Sequence, residues 1–233
     1  MPKPQVQTRK WRLIFRHMWP LTLGIGLFVT TVILVTGIKK FYSVTYDSNP
    51  FVYIVLFVSL IAGTQLLYPV VTLEHSFWLF CIGLAYVFVM LIFRYSGYIR
   101  SMYEAGTLPL VHRGIAKPTL VGDIVKVIEV LLQDIAAWLT VLGLLLLFDN
   151  RHLVIGIFTL LAFLLHVPGI TMFGRVYGLY FLCLATLLAF TVPVFMMFGE
   201  IGFLYVFVLH LTTYLLMYLI MGYFGKKHFQ QTK

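Results

Sequence analysis

Long apolar runs separated by short polar stretches make up most of the chain from residue 16 to residue 224. The runs are continuously hydrophobic and rich in leucine, which indicates helices, whereas the strands of a membrane barrel would alternate apolar and polar residues. Seven segments can be marked, approximately at 16–37, 51–71, 77–95, 124–148, 152–168, 176–197 and 203–224. Most have the ~20 residues that a helix needs to cross the hydrocarbon core of a bilayer. The pattern predicts an all-α polytopic integral membrane bundle of seven transmembrane helices, or six if the first does not cross, in a single membrane domain over 1–233.

The composition strengthens the membrane assignment. Of the 233 residues, 61% are hydrophobic and only 11% are charged, whereas soluble domains are about one quarter charged. The two cysteines, Cys81 and Cys183, lie inside apolar runs and lack the spacing of a metal site, so we interpret them as small apolar side chains. We therefore expect the lipid bilayer as the main partner, no metal and no cofactor.

The distribution of Lys and Arg predicts the orientation, because cytoplasmic loops are enriched in basic residues. With seven crossings and a cytoplasmic C-terminus, 11 of the 17 basic residues lie inside, and most of the others belong to the N-terminal tail. If the first segment does not cross, 16 of the 17 lie inside. Pro20, Gly24 and Gly26 could break that segment into an interfacial helix and a partial insertion. We favour seven crossings because 21–37 is apolar enough to span, and we leave the side of the N-terminus open.

Two other features of the N-terminal half bear on processing and partners. The first apolar core is too long for a signal peptide, so we expect it to be retained as a membrane segment. The stretch 96–123 is punctuated by Gly and Pro and flanked by basic residues, which predicts a cytoplasmic loop. We interpret it as an orientation signal that touches anionic lipid, and alternatively as a docking loop for a protein partner or an anionic ligand. The net charge of +9 does not point to nucleic acid, because the basic residues lie beside membrane segments.

The fourth segment carries an unusual set of polar residues. On a helix at 100° per residue, Lys126, Glu129, Gln133 and Thr140 fall within about 60° of one another. We call these four residues the polar stripe. A charge facing lipid at mid-bilayer costs from a few to more than ten kcal/mol. The stripe therefore has to face the interior of the bundle or a wet cavity.

Three acids lie at different depths along this segment. We expect Asp123 to cap the start of the helix and Glu129 to pair with Lys126 three residues earlier. Asp134 lies roughly 5 Å from the predicted helix centre, and no basic residue lies within one turn of it. It therefore needs a partner from another helix, or it stays protonated.

Histidines in two other segments are the candidate partners. His166 lies near the inner end of the fifth segment, and His210 lies in the seventh, close to Thr213. A membrane histidine is commonly a hydrogen-bonded structural residue, but with Glu129 and Asp134 the two imidazoles could relay protons. No H-E-x-x-H or H-x-x-E-H spacing supports a metal, and the estimated depths of the two histidines differ too much for haem.

A second polar group is expected at the outer face, where short loops bring several side chains together. Its members are Glu74, His75, Asp149, Arg151, His152 and Glu200. We interpret them as solvated loop ends, and alternatively as an external site for a cation or a polar substrate.

Three functions remain open at this stage. The first is a small transporter or permease, with a polar path lined by Glu129, Gln133, Asp134, Thr140, His166, His210 and Thr213. The second is a non-catalytic membrane subunit or scaffold of a larger complex, with protein partners or further copies of itself. The third, which we rank lowest, is an intramembrane enzyme acting on a lipid or lipid-linked substrate.

Overall fold

The computed structural model describes the backbone of residues 4–34, 49–95, 120–168, 170 and 175–231, and side chains over 18–34, 49–92, 120–168, 170 and 178–216. The described residues form seven helices. These are α1 (Pro4–Ile33), α2 (Pro50–Leu67), α3 (Leu73–Tyr95), α4 (Leu120–Leu147), α5 (Arg151–His166), α6 (Arg175–Met196) and α7 (Glu200–Gln231). The predicted cytoplasmic loop lies outside the described residues except for 120–123, which form the first turn of α4.

The chain is all-helical over its described residues, as predicted. Four helical stretches there are long and apolar enough to cross a membrane: Pro50–Leu67, Leu73–Ile92, Leu120–Leu147 and Gly178–Met196. Shorter apolar stretches occupy Met18–Ile33, Arg151–His166 and Glu200–Leu216. At 1.5 Å per residue, the 16-residue α5 is about 24 Å long, shorter than the ~30 Å hydrocarbon core. A bundle of seven crossings remains a prediction.

Helix α4 is the centre of the bundle and contacts each of the other six helices. Within its apolar window 56% of the residues are buried, against 17–28% for the other three long stretches. Close contacts locate two of its neighbours along its length. Tyr68, directly after α2, lies near Trp138 in the second half of α4. Gly83 of α3 lies against Val127 in the first half of α4.

Helix α1 packs most extensively on α4, and glycines allow the two backbones to approach closely. A Cβ atom added at Gly24 would come within 2.5 Å of Thr140 Oγ1 and 2.8 Å of the Ala136 carbonyl, and one added at Gly143 would come within 2.5 Å of the Leu21 side chain. Such close approach of small residues is typical of membrane helix pairs. The contacts show that α1 runs antiparallel to α4. They also correct the alternative of a broken first segment, because α1 is continuous through Pro20 and Gly24.

Local sequence explains where other helices begin, end and join. Asn150 caps α5 by accepting hydrogen bonds from the backbone N–H groups of His152 and Leu153 at 3.0 and 3.3 Å. Gly199, with φ of 72°, makes the left-handed turn between α6 and α7. Pro193 has no N–H to donate to Ala189 four residues earlier, and Thr159 of α5 donates its hydroxyl to that carbonyl at 3.4 Å. This hydrogen bond joins α5 to α6 beside the proline.

The α1–α4 contact can be tested with two neighbouring glycines. Gly24→Ala should force the helices apart and lower the free energy of unfolding by about 1–3 kcal/mol, as overpacking does elsewhere. Gly26→Ala is the matched control, because a Cβ there meets nothing within 4 Å. SDS titration in mixed micelles measures both, and equal stability of the two variants would contradict the close packing.

The direction of α1 predicts the sides of the two chain ends. His210 lies beside Asp134 and Tyr214 beside Lys126, so α7, like α1, runs antiparallel to α4. Two parallel helices that both span place the N-terminus and the C-terminus on opposite sides of the membrane. In a Cys81→Ser, Cys183→Ser background, Gln7→Cys and Thr232→Cys should therefore react with an impermeant maleimide from opposite sides of sealed vesicles. Labelling of both from one side would mean that α1 does not cross.

Candidate functional site

The central feature of the site is a hydrogen bond between two helices. His210 Nδ1 of α7 lies 2.7 Å from Asp134 Oδ1 of α4. If the acid is ionised, the ring N–H donates to it; if the acid is protonated, its O–H donates to the ring nitrogen. One proton thus lies between the two groups in either case. We call Asp134 and His210 the buried pair.

The two members of the buried pair differ in burial, because the His210 side chain is 15% exposed and that of Asp134 only 2%. Asp134 is at the middle of the 28-residue α4, closer to the helix centre than expected, because the helix begins four residues before the predicted segment. Its second oxygen, Oδ2, is buried and has no hydrogen-bond partner among the residues that the structure describes. An unsatisfied buried oxygen costs about 1–3 kcal/mol or more. The site therefore holds its carboxyl group at an energetic cost to the fold.

A cavity of about 80 Å³ adjoins the buried pair. Its lining includes six residues with polar side chains, namely Gln133, Asp134, His166, His210, Thr213 and Tyr214, and ten apolar residues, among them Phe28, Phe158 and Phe181. One water needs about 10–15 Å³ of such space and two to four polar partners. By volume the cavity has room for several waters, although most of its lining residues are apolar.

His166 lies on the same cavity but does not bind Asp134. Its Nδ1 lies 2.7 Å from the Ala162 carbonyl oxygen. A carbonyl only accepts, so Nδ1 carries a proton and Nε2 is left as the acceptor of the neutral ring. The ring packs against Phe28 and Phe181, with centroids 6.2 and 5.5 Å apart. The contacts thus orient the imidazole and set its tautomer.

Three members of the polar stripe, Lys126, Glu129 and Gln133, lead from the cavity toward the start of α4. Lys126 Nζ and Gln133 Nε2 both donate to Glu129 Oε1, at 3.1 and 3.0 Å. Lys126 and Glu129 are 6% and 2% exposed, so this ion pair is buried in the bundle. Gln133 also lines the cavity. The three residues therefore form a hydrogen-bonded chain that ends beside the buried pair.

Tyr214 joins the two parts of the site and is not among the residues predicted from the sequence. Lys126 Nζ lies 3.9 Å from the centroid of its ring, within the range of a cation–π contact. The ring also stacks on His210 with centroids 5.3 Å apart and planes at 19°. The signal that could have found it is spacing, since Tyr214 follows His210 by four residues and shares its helix face.

Other predicted residues have local roles. Thr140 donates to the Ala136 carbonyl at 2.8 Å and lies against Gly24, so it packs α1 onto α4 and does not line the central cavity. Thr213 lines that cavity while donating to the Leu209 carbonyl at 2.8 Å. Asp123 is buried in the first turn of α4, where the helix dipole favours an acid, but it lies inside the helix and not at the capping position.

The outer-face residues are only partly brought together. His75 at the start of α3 lies 2.9 Å from Glu200 at the start of α7, so an ion pair links these two helix ends when the imidazole is protonated. Glu74, Asp149, Arg151 and His152 are exposed, and within the described residues they form no ion pair with His75 or Glu200. The same range contains no group of three or more His, Cys, Asp or Glu arranged to hold a metal ion.

The site offers several positions that can donate or accept a hydrogen bond. With Nδ1 of His210 bonded to Asp134, the second ring nitrogen, Nε2, can donate or accept a further hydrogen bond according to the tautomer. Comparison with known proteins adds no family to this description: no family model, no curated protein and no solved structure matches the chain.

The buried ion pair of the stripe gives a testable stability prediction. Lys126→Met leaves Glu129 without its ammonium partner and should lower the free energy of unfolding by about 3–5 kcal/mol. Adding Glu129→Leu should restore most of that loss, because a buried pair replaced by apolar residues is often neutral. SDS titration of the single and double variants measures both values. If the double variant is as unstable as the single one, the loss of stability does not come from an unpaired buried charge.

Proposed function

We propose that this chain is a small membrane permease that moves protons, alone or coupled to another solute, with the buried pair as its proton-binding switch. The observation that carries the proposal is the 2.7 Å hydrogen bond between Asp134 and His210 beside a cavity that can hold water. Ionisable residues at mid-membrane depth are expensive, and they commonly belong to proton or ion pathways.

The distribution of polar groups supports access from one side. From the buried pair toward the start of α4 run Gln133, Glu129 and Lys126, joined by hydrogen bonds. Toward its other end, α4 packs tightly against α1 through Gly24 of α1 and Gly143 of α4. The start of α4 is the side expected to be cytoplasmic from the distribution of basic residues. A proton would enter and leave the switch from that side in this conformation.

The proposed cycle uses side chains of known geometry. A proton passes through cavity water to Nε2 of His210, and the imidazolium formed is stabilised by the Asp134 carboxylate at Nδ1. Release to the other side requires the α1–α4 contact to open, because that contact covers the outer half of the pathway. His166 lines the same cavity and accepts through Nε2, which makes it a relay position between water and the switch.

Proton flux into proteoliposomes tests the function. The protein is reconstituted with an internal pH-sensitive dye, and a potassium diffusion potential drives the protons. Asp134→Asn should reduce the flux by about a hundredfold, the lower end of what a positioned proton-transfer group contributes. His210→Gln should have a similar effect, because it removes the second titrating position.

Two matched controls are exposed residues: Asp149 in the α4–α5 turn and His152 in the first turn of α5. Asp149→Asn and His152→Gln make the same chemical changes outside the site and should leave the flux unchanged. Flux that persists in Asp134→Asn, or is lost equally in Asp149→Asn, would contradict the role of the buried pair.

A second candidate, a non-catalytic membrane subunit, is favoured by the burial of the stripe. Lys126, Glu129 and Asp134 are each at most 6% exposed, as expected if their polar contacts hold helices together. If the chain is such a subunit, the unaltered protein should show no proton flux. Asp134→Asn should then change only the stability of the protein. The same reconstitution, with an SDS titration beside it, decides between the two.

A further inference from the structure

A second, much larger cavity lies away from the proposed proton site. It has a volume of about 760 Å³ and is walled by α2, α3 and α4, with Phe207 of α7 at its base. Helices α2 and α3 are joined by a short connection and each packs on α4, yet within the described residues they make few contacts with each other. The cavity is therefore a groove left where two consecutive helices diverge.

The lining of the groove suits hydrocarbon. Only Gln65 and Ser76 among its lining residues carry polar side chains. Gln65 Oε1 accepts from the Val70 N–H at 3.3 Å, and Ser76 donates to the Thr72 carbonyl at 2.9 Å. Both therefore have partners within the chain. The three walls are also three of the four stretches that are long and apolar enough to cross a membrane, so the groove lies at the depth of the acyl chains.

The dimensions of the groove fit an extended acyl chain. Along α4 it runs from Leu120 to Ile135, about 22 Å at 1.5 Å per residue. This is about three quarters of the ~30 Å hydrocarbon core. Leu84 on its rim is 58% exposed, so the groove opens sideways to the bilayer.

Charge differs between the two ends of the groove. The end near Leu120 follows directly in the sequence on the stretch 94–119, which contains four basic residues and one acidic residue. Lys117 precedes Leu120 by three residues, and the α3 backbone continues past Val87 to Arg94. The opposite end, near Ser76, has Glu74 and no Lys or Arg in 68–76. Basic residues beside a membrane segment attract anionic headgroups.

We propose that the groove between α2, α3 and α4 binds one acyl chain of an anionic phospholipid, with the headgroup at the end where α4 begins. This site is separate from the buried pair, so its test does not depend on whether the proposed permease function is correct.

Native mass spectrometry of the full-length protein tests the site. The protein is extracted from vesicles of equal phosphatidylglycerol and phosphatidylcholine with identical acyl chains, and the retained lipid is counted. We expect one phosphatidylglycerol per chain. Leu84→Trp should fill the groove and reduce retention about tenfold, the cost of displacing roughly two buried methylene groups. Ile124→Trp fills the groove from the α4 wall and should reduce retention similarly. It serves as the second variant if Leu84→Trp folds poorly.

Two matched controls separate the groove and the headgroup from general effects. Phe88→Trp places the same ring on the exposed face of α3 outside the groove and should retain lipid normally. Lys117→Gln, three residues before Leu120 in the sequence, should weaken phosphatidylglycerol retention about fivefold, the effect of removing one basic residue beside a membrane segment, whereas Arg151→Gln at the start of α5 should not. Equal retention by Leu84→Trp and Phe88→Trp, equal retention of the two lipids, or a second protein chain in place of lipid would overturn the proposal.

Discussion

The structure depends on the cost of placing a carboxyl group in the middle of a membrane helix. Asp134 is almost completely buried, and the residue that hydrogen-bonds to it, His210, lies 76 residues further along the chain in α7. Because hydrocarbon offers no alternative partner, this contact sets the register of α7 against α4. Tyr214 then lies one turn along α7, between His210 and Lys126. A single polar contact therefore organises the polar side of the bundle.

The remaining helices follow from the need to shield α4. Helix α1 covers the half of α4 beyond the buried pair and lies close because Gly24 and Gly143 have no side chains to separate the backbones. The other half carries Lys126, Glu129 and Gln133 of the polar stripe and adjoins the cavity. The molecule is thus asymmetric along the membrane normal, with polar contacts toward one end and tight apolar packing toward the other.

Several features of the site follow from local sequence. The helical spacing of Lys126, Glu129 and Gln133 predicts their shared face, and the structure joins them by hydrogen bonds on that face. The need of Asp134 for a partner from another helix follows from its neighbours in sequence alone. The choice between His166 and His210 does not, because it depends on the rotation of two helices about their axes. Thr140 is on the predicted face, but α1 occupies the space beside it, so it does not line the central cavity.

The sequence by itself determined that the chain is helical, that it belongs in a membrane and that the acids of α4 have to face inward. Hydropathy and helical periodicity decide these properties, and both are local. Only the tertiary structure decided that His210 and not His166 bonds to Asp134, that Gly24 is a contact and not a break, and that α2 and α3 diverge to leave a groove. These features depend on the relative rotation, depth and tilt of helices, which arise from packing between segments distant in the chain.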